Sequence, residues 1–186
     1  MKKIFLISFL LIHMTQNTSY KIDFGKTKDG INWWVVNDGV MGGLSQGNKT
    51  LTENSILFKG VISLDNNGGF SSLRCPLYDK DLSQYDQIQI RYRSTGISKA
   101  LTLSVSRRWY IPNYKISLEG TSGKWETKTI KLSDFKKYYL GKPLNESLKK
   151  EKLKDIIRMG IITDEKNMVI LNLKWIISTS WLSYYR

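Results

Sequence analysis

Two short stretches of this chain set Asx side chains beside glycines, and they hold most of the chemistry the sequence offers. The first is Asn37-Asp38-Gly39-Val40-Met41-Gly42-Gly43, with Ser45 following. The second is Ser63-Leu64-Asp65-Asn66-Asn67-Gly68-Gly69-Phe70-Ser71-Ser72. Asn37, Asp38, Asn66 and Asn67 carry oxygens that accept hydrogen bonds from a sugar hydroxyl, from a partner's loop, or from the N–H groups of their own turns. Two readings stand at this point. The turns meet at one end of the fold and make a shared polar site, or their side chains satisfy the turn backbone. Gly39, Gly42, Gly43, Gly68 and Gly69 fit either one, since both need sharp reversals or close chain approach. Asp38 with Asp65 is a weak calcium pair, because such a site takes six or more oxygens. No metal is expected.

Aromatic rings are the second resource. Trp109 and Tyr110 follow Arg107 and Arg108 in a loop, with Tyr114 just beyond. Rings held on a loop can stack on a sugar, or they can pack on the edge of a sheet. Trp33 and Trp34 are adjacent, so on a strand one faces the core and the other a surface.

Catalysis finds little support. The one histidine, His13, lies in the N-terminal segment that reads as a signal peptide, and Cys75 is the one cysteine. That excludes a disulfide within the chain and a cysteine-based metal site, and it leaves a thiol nucleophile without a base. Acid–base work by paired carboxylates, as in glycoside hydrolysis, has no pair placed for it by a motif. The glycine-rich turns lack the Gly-Lys-Ser/Thr of a phosphate loop. The chain reads as a non-enzyme without a cofactor.

The elements that must carry these residues are strands. Gln87–Arg93 alternates strictly, with Ile88, Ile90 and Tyr92 on one face. Leu101, Leu103 and Val105 alternate likewise, and so do Val169, Leu171, Leu173, Trp175 and Ile177. Ile56–Phe58 and Val61–Leu64 read as two strands around Lys59-Gly60, and Phe70–Cys75 as another with a buried thiol. Period-two patterns separated by Gly, Asn, Asp and Ser clusters predict an all-β, antiparallel sandwich. One helix is expected from Pro143 to Arg158, with Leu148, Leu153, Ile156 and Ile157 inward and Lys149, Lys150, Lys152 and Lys154 solvated. A short helical turn is expected near Asp134-Phe135.

With those segments in place, the chain resembles the complex I intermediate-associated protein 30 family. The two Asx-glycine stretches are the specific part. Asp81–Asp86, Gly123-Lys124-Trp125-Glu126 with Ile130, Leu132 and Phe135, Arg158–Ile162 and Trp175-Ile176 add weaker support. Asn113-Tyr114-Lys115 stands where the family often has a Tyr-Gln pair. The resemblance implies a jelly roll of galactose-binding-like type with one or two short helices. It also implies a protein-binding role in assembly of a membrane or envelope complex. The alternative is a carbohydrate-binding module that recognises a glycan.

Composition bounds the partners. The apolar fraction is 41% and the charged fraction 24%, as in ordinary folded proteins, and 186 residues suit one domain, residues 20–186. Lys and Arg outnumber Asp and Glu by 29 to 16, for a net charge of +13. The cations are mostly scattered lysines without a nucleic-acid-binding motif, so nucleic acid is not expected. Peripheral association with an anionic membrane surface fits the charge. Lys2-Lys3, the apolar run Ile4–Ile12 and the polar residues after it read as a signal peptide over residues 1–19, with cleavage near Thr18 or Ser19. The protein is therefore expected in the periplasm or secreted. The C-terminal Trp181–Arg186 is expected to pack back on the sandwich.

Overall fold

A computed structural model of the chain describes residues 19–77, 81–95, 99–163 and 168–179. The expected leader, apart from Ser19, and the C-terminal aromatic segment lie outside the described residues. The strands are β1 (Tyr20–Asp23), β2 (Trp34–Asn37), β3 (Gln46–Leu51), β4 (Ile56–Val61), β5 (Ser71–Arg74), β6 (Gln87–Thr95), β7 (Lys99–Ser104), β8 (Asn113–Leu118), β9 (Glu126–Lys131), β10 (Lys136–Tyr139), β11 (Lys142–Ser147), β12 (Arg158–Thr163) and β13 (Met168–Thr179).

They form two antiparallel sheets that bury a shared core, a β-sandwich of jelly-roll type. The six-stranded sheet runs β3-β4-β13-β6-β9, and β1 pairs with β13 beyond the end of β4. The seven-stranded sheet runs β11-β10-β8-β7-β12-β5-β2. Ile88, Ile90 and Tyr92 of the smaller sheet and Leu101 and Leu103 of the larger are buried as the alternation requires. So are Phe58 and Leu171 on one side, and Leu73, Met159 and Ile161 on the other. Each such side chain contributes roughly 1.5–3 kcal/mol when fully buried.

β13 departs from simple alternation. Leu173 pairs with Tyr92 and Trp175 with Arg91, so Lys174 is an extra residue. A bulge of one residue exchanges the two faces of everything beyond it. Leu171 and Leu173 point inward, but after the bulge the buried residue is Ile176, while Trp175 and Ile177 are half-buried. The expectation that Trp175 and Ile177 share the face of Leu171 is therefore corrected. The Val169 side chain lies outside those described.

Lys59-Gly60 is not a turn but the middle of β4. Gly60 pairs with Gly47 of β3, and a methyl group there would collide with the Gln46 carbonyl and the Gly47 Cα. The strand passes through because neither position carries a side chain.

The expected helix from Pro143 to Arg158 is also corrected. Its first part is β11, an edge strand, where a proline's missing N–H costs no ladder bond. Its second part is a 3-10 turn, Lys150–Asp155. Leu148, Leu153 and Ile156 still anchor the segment in the core, and Lys149, Lys150, Lys152 and Lys154 are exposed. The short turn expected near Asp134 is a 3-10 turn over Leu132–Asp134.

Trp33 is buried, edge-to-face with Phe24 at 5.0 Å between ring centroids. Trp34 emerges on the opposite face. The Cys75 thiol is buried, and burial pushes its pKa up to about 11. No helix among the described residues is long and apolar enough to cross a membrane.

Candidate functional site

The two Asx-glycine turns are joined through one carboxylate. β2 ends at Asn37, and Asp38 opens a 3-10 turn to Met41 that closes on Gly42 with φ 88°. The Asp38 carboxylate is 1% exposed. Its Oδ1 accepts the Ser45 N–H at 2.9 Å. Its Oδ2 accepts the Ser45 hydroxyl at 2.5 Å, the Gly69 N–H at 2.6 Å and the Phe70 N–H at 3.1 Å. A methyl group on Gly43 or Gly68 would strike this carboxyl group, so both glycines are there for close approach. Burial alone would raise the Asp38 pKa. The hydrogen bonds from Ser45, Gly69 and Phe70 outweigh it and hold the carboxyl below its ordinary value of 3.8.

Asn37 makes the adjacent brace. Its Oδ1 accepts the Gly47 N–H at 3.0 Å and the Ser71 hydroxyl at 2.6 Å, and its Nδ2 donates to the Gly47 carbonyl at 3.2 Å. Asn66 and Asn67 are exposed, with left-handed backbones at φ 54° and 57°. They serve the turn through conformation, as Asn tolerates that region. With three donors on Oδ2, one on Oδ1 and almost no exposure, this carboxylate is committed to bracing the turns. Among the described residues no three His, Cys, Asp or Glu side chains converge on a metal position.

The aromatic residues separate. Trp109 and Tyr110 are exposed and pair edge-to-face at 5.9 Å. Tyr114 is buried in β8, opposite Leu103, and forms the wall of a groove lined also by Ile111, Pro112, Lys137 and Lys152. It belongs to that groove and not to a surface platform.

A further set, not singled out by sequence, lies on the outward face of the larger sheet. Register places Trp34, Arg74, Gly160, Thr102, Lys115 and Lys136 side by side across six strands. The next row holds Arg158, Ser104, Asn113 and Tyr138. The Arg158 guanidinium lies over the Trp34 ring at 4.9 Å, and the Lys115 ammonium over the Tyr138 ring at 5.0 Å. Gly160 lets its neighbours close in at the middle of the first row: a methyl group there would meet the Leu73 carbonyl and crowd the Thr102 hydroxyl. Arg74 Nε donates to the Ser72 hydroxyl at 2.9 Å. Burial, and then the like charge of Arg158, pulls the Arg74 pKa below its ordinary value. The Arg158 Nε–H and the Asn113 Oδ1 are buried without a hydrogen-bond partner. One aromatic ring at an end of each row, with donors and acceptors between, equips the face to hold a polar, ring-shaped ligand by stacking and hydrogen bonding.

Alternation alone would have turned Trp34, Arg74 and Arg158 outward. Their meeting depends on β12 and β2 flanking β5, and no local pattern in the chain encodes that order.

The family model for complex I intermediate-associated protein 30 matches residues 22–174. No curated protein sequence matches the chain. Among solved structures, the fold is similar to the family 11 carbohydrate-binding module from Clostridium thermocellum in complex with a β-1,3-1,4-mixed-linked tetrasaccharide. The TM-score is 0.65 and the identity 16%, over 87% of this chain and 95% of that one. The family 11 module of the cellulosomal cellulase Lic26A-Cel5E of Clostridium thermocellum gives 0.64 and 15%, over 87% and 95%. An agarase, AgWH50C, gives 0.58 and 9%, over 89% of this chain and 25% of that one. At these identities the likeness is one of fold.

Proposed function

The chain belongs to the complex I intermediate-associated protein 30 family, and from that premise we propose that it is a non-catalytic binding module whose ligand is a glycan. The ligand lies across the outward face of the larger sheet. One observation carries this reading: Trp34, Arg74, Thr102, Asn113 and Tyr138 stand together there in two adjoining rows. The fold shared with a module bound to a tetrasaccharide supports it. The leader directs export, which brings such a surface to envelope or extracellular glycans; N-terminal sequencing of protein from the host checks its removal.

A second reading has its own observation. Val40, Met41, Leu44 and Leu64 are exposed apolar side chains carried by the two Asx-glycine turns. Apolar groups gathered at braced turns suit a protein partner, as in assembly of a membrane or envelope complex.

A glycan array followed by affinity electrophoresis separates the two. Binding to at least one glycan is expected, lost in Trp34→Ala and kept in Trp109→Ala. Purification with one stoichiometric protein partner and no glycan signal would overturn the glycan reading in favour of the second.

A further inference from the structure

We infer that the glycan held on the outward face carries negative charge, a carboxylate or a sulfate ester, and that Arg74 and Arg158 read it. This rests on the glycan reading above and goes beyond it to the ligand's chemical class.

Charge on the face is one-sided. The outward positions of β2, β5, β12, β7, β8 and β10 hold Arg74, Arg158, Lys115 and Lys136, and no Asp or Glu. A neutral sugar is ordinarily held by mixed donors and acceptors, and a half-buried guanidinium without a counter-charge is costly. The two arginines are the sharpest case. They sit close enough to repel one another. Arg74 bonds only through Nε, to a neutral hydroxyl, and neither guanidinium makes an ion pair among the described residues. Elsewhere Lys128, Lys137, Lys150 and Lys152 each meet a carboxylate.

Geometry favours an anion that presents two oxygens side by side. The Arg158 guanidinium rests over the Trp34 ring, a contact that restricts its fork before the ligand arrives. A guanidinium offers two parallel N–H groups to a carboxylate or sulfate, and Arg74 shares its outward row with the Thr102 hydroxyl, a further donor. Trp34 lies beside them to take a sugar ring.

The basic chain will attract any polyanion loosely, so the test uses short oligosaccharides and a charge-matched control. The full chain is titrated calorimetrically with a uronic-acid trisaccharide, a sulfated trisaccharide and a neutral mixed-linkage tetrasaccharide. One or both anionic sugars are expected to bind at least about tenfold more tightly than the neutral one, as charged hydrogen bonds exceed neutral ones. Which of the two binds distinguishes carboxylate from sulfate. Arg74→Gln with Arg158→Gln should remove that preference. Arg74→Lys with Arg158→Lys, which keeps the charge but loses the fork, should remove most of it. Lys26→Gln with Lys124→Gln, in loops beside the smaller sheet, should change nothing. Equal binding of neutral and anionic sugars, unaffected by the arginine changes, would overturn the inference and leave the glycan reading standing. No binding of any sugar would overturn both. Arginine-dependent capture of a poly-glutamate peptide in place of every sugar would assign the face to an acidic protein and refute the inference.

Discussion

Replacing Asp38 with alanine tests whether the two turns are braced or form a site. The substitution strips acceptors from three backbone N–H groups, those of Ser45, Gly69 and Phe70, and from the Ser45 hydroxyl. A buried donor left without a partner costs about 1–3 kcal/mol. The hydroxyl contributes least, since the Ser63 carbonyl is 3.3 Å away and can receive it. Gly69 and Phe70 are part-buried and recover some hydration, which puts them at the lower end. The expected loss is about 3–5 kcal/mol. Urea denaturation followed by tryptophan fluorescence reads it, with an unchanged slope confirming a native-state effect. In Asp38→Asn one oxygen still faces Gly69 and Phe70, but the amide meets the Ser45 N–H donor to donor, for about 2–3 kcal/mol. Acid adds a second check. The folded carboxyl titrates below the ordinary 3.8. Its contribution is therefore fully present above pH 3.8 and is lost as the pH falls from there through the lower folded value. The difference between wild type and Asp38→Asn should shrink over that range. A loss below about 1 kcal/mol in Asp38→Ala, accompanied by loss of ligand binding, would refute the brace and make Asp38 a site residue.

Gly60→Ala should destabilise the chain by at least about 2 kcal/mol in the same assay, because its methyl group meets the backbone of β3 and not a yielding side chain. Cys75, buried and with its thiol pushed up to about 11, should react with Ellman's reagent at pH 8 only at the rate of unfolding; reaction within seconds in native conditions would show an open site.

Legibility in the sequence followed the range over which the responsible forces act. Ile88, Ile90 and Tyr92 were readable because burial on one face of one strand leaves a pattern within that strand. Trp175 and Ile177 were misplaced because the bulge at Lys174 is set by pairing with β6, far along the chain. The Pro143 segment misled because an edge strand needs few apolar residues, and its lysines and the anchors Leu148 and Leu153 fit a helix equally well. The Asx-glycine turns were visible through their unusual composition, and their meeting at Asp38 follows from it. Arg74 and Arg158 left no trace, because an outward cation on a strand looks like solvated surface until strand order places a second one beside it.

The position of β13 has a consequence for the order in which the chain can fold. This strand pairs with β1, β4 and β6, so residues from the first hundred wait for the last strand before their sheet closes. During synthesis the early hairpin of β3 and β4 can form locally, but Phe58, Ile88 and Ile90 have no central strand to cover them until residue 179 leaves the ribosome. Closure then joins partners more than seventy residues apart, the kind of long-range pairing that makes folding slow and exposes sticky intermediates. Such a chain keeps this sheet open until β13 has been made.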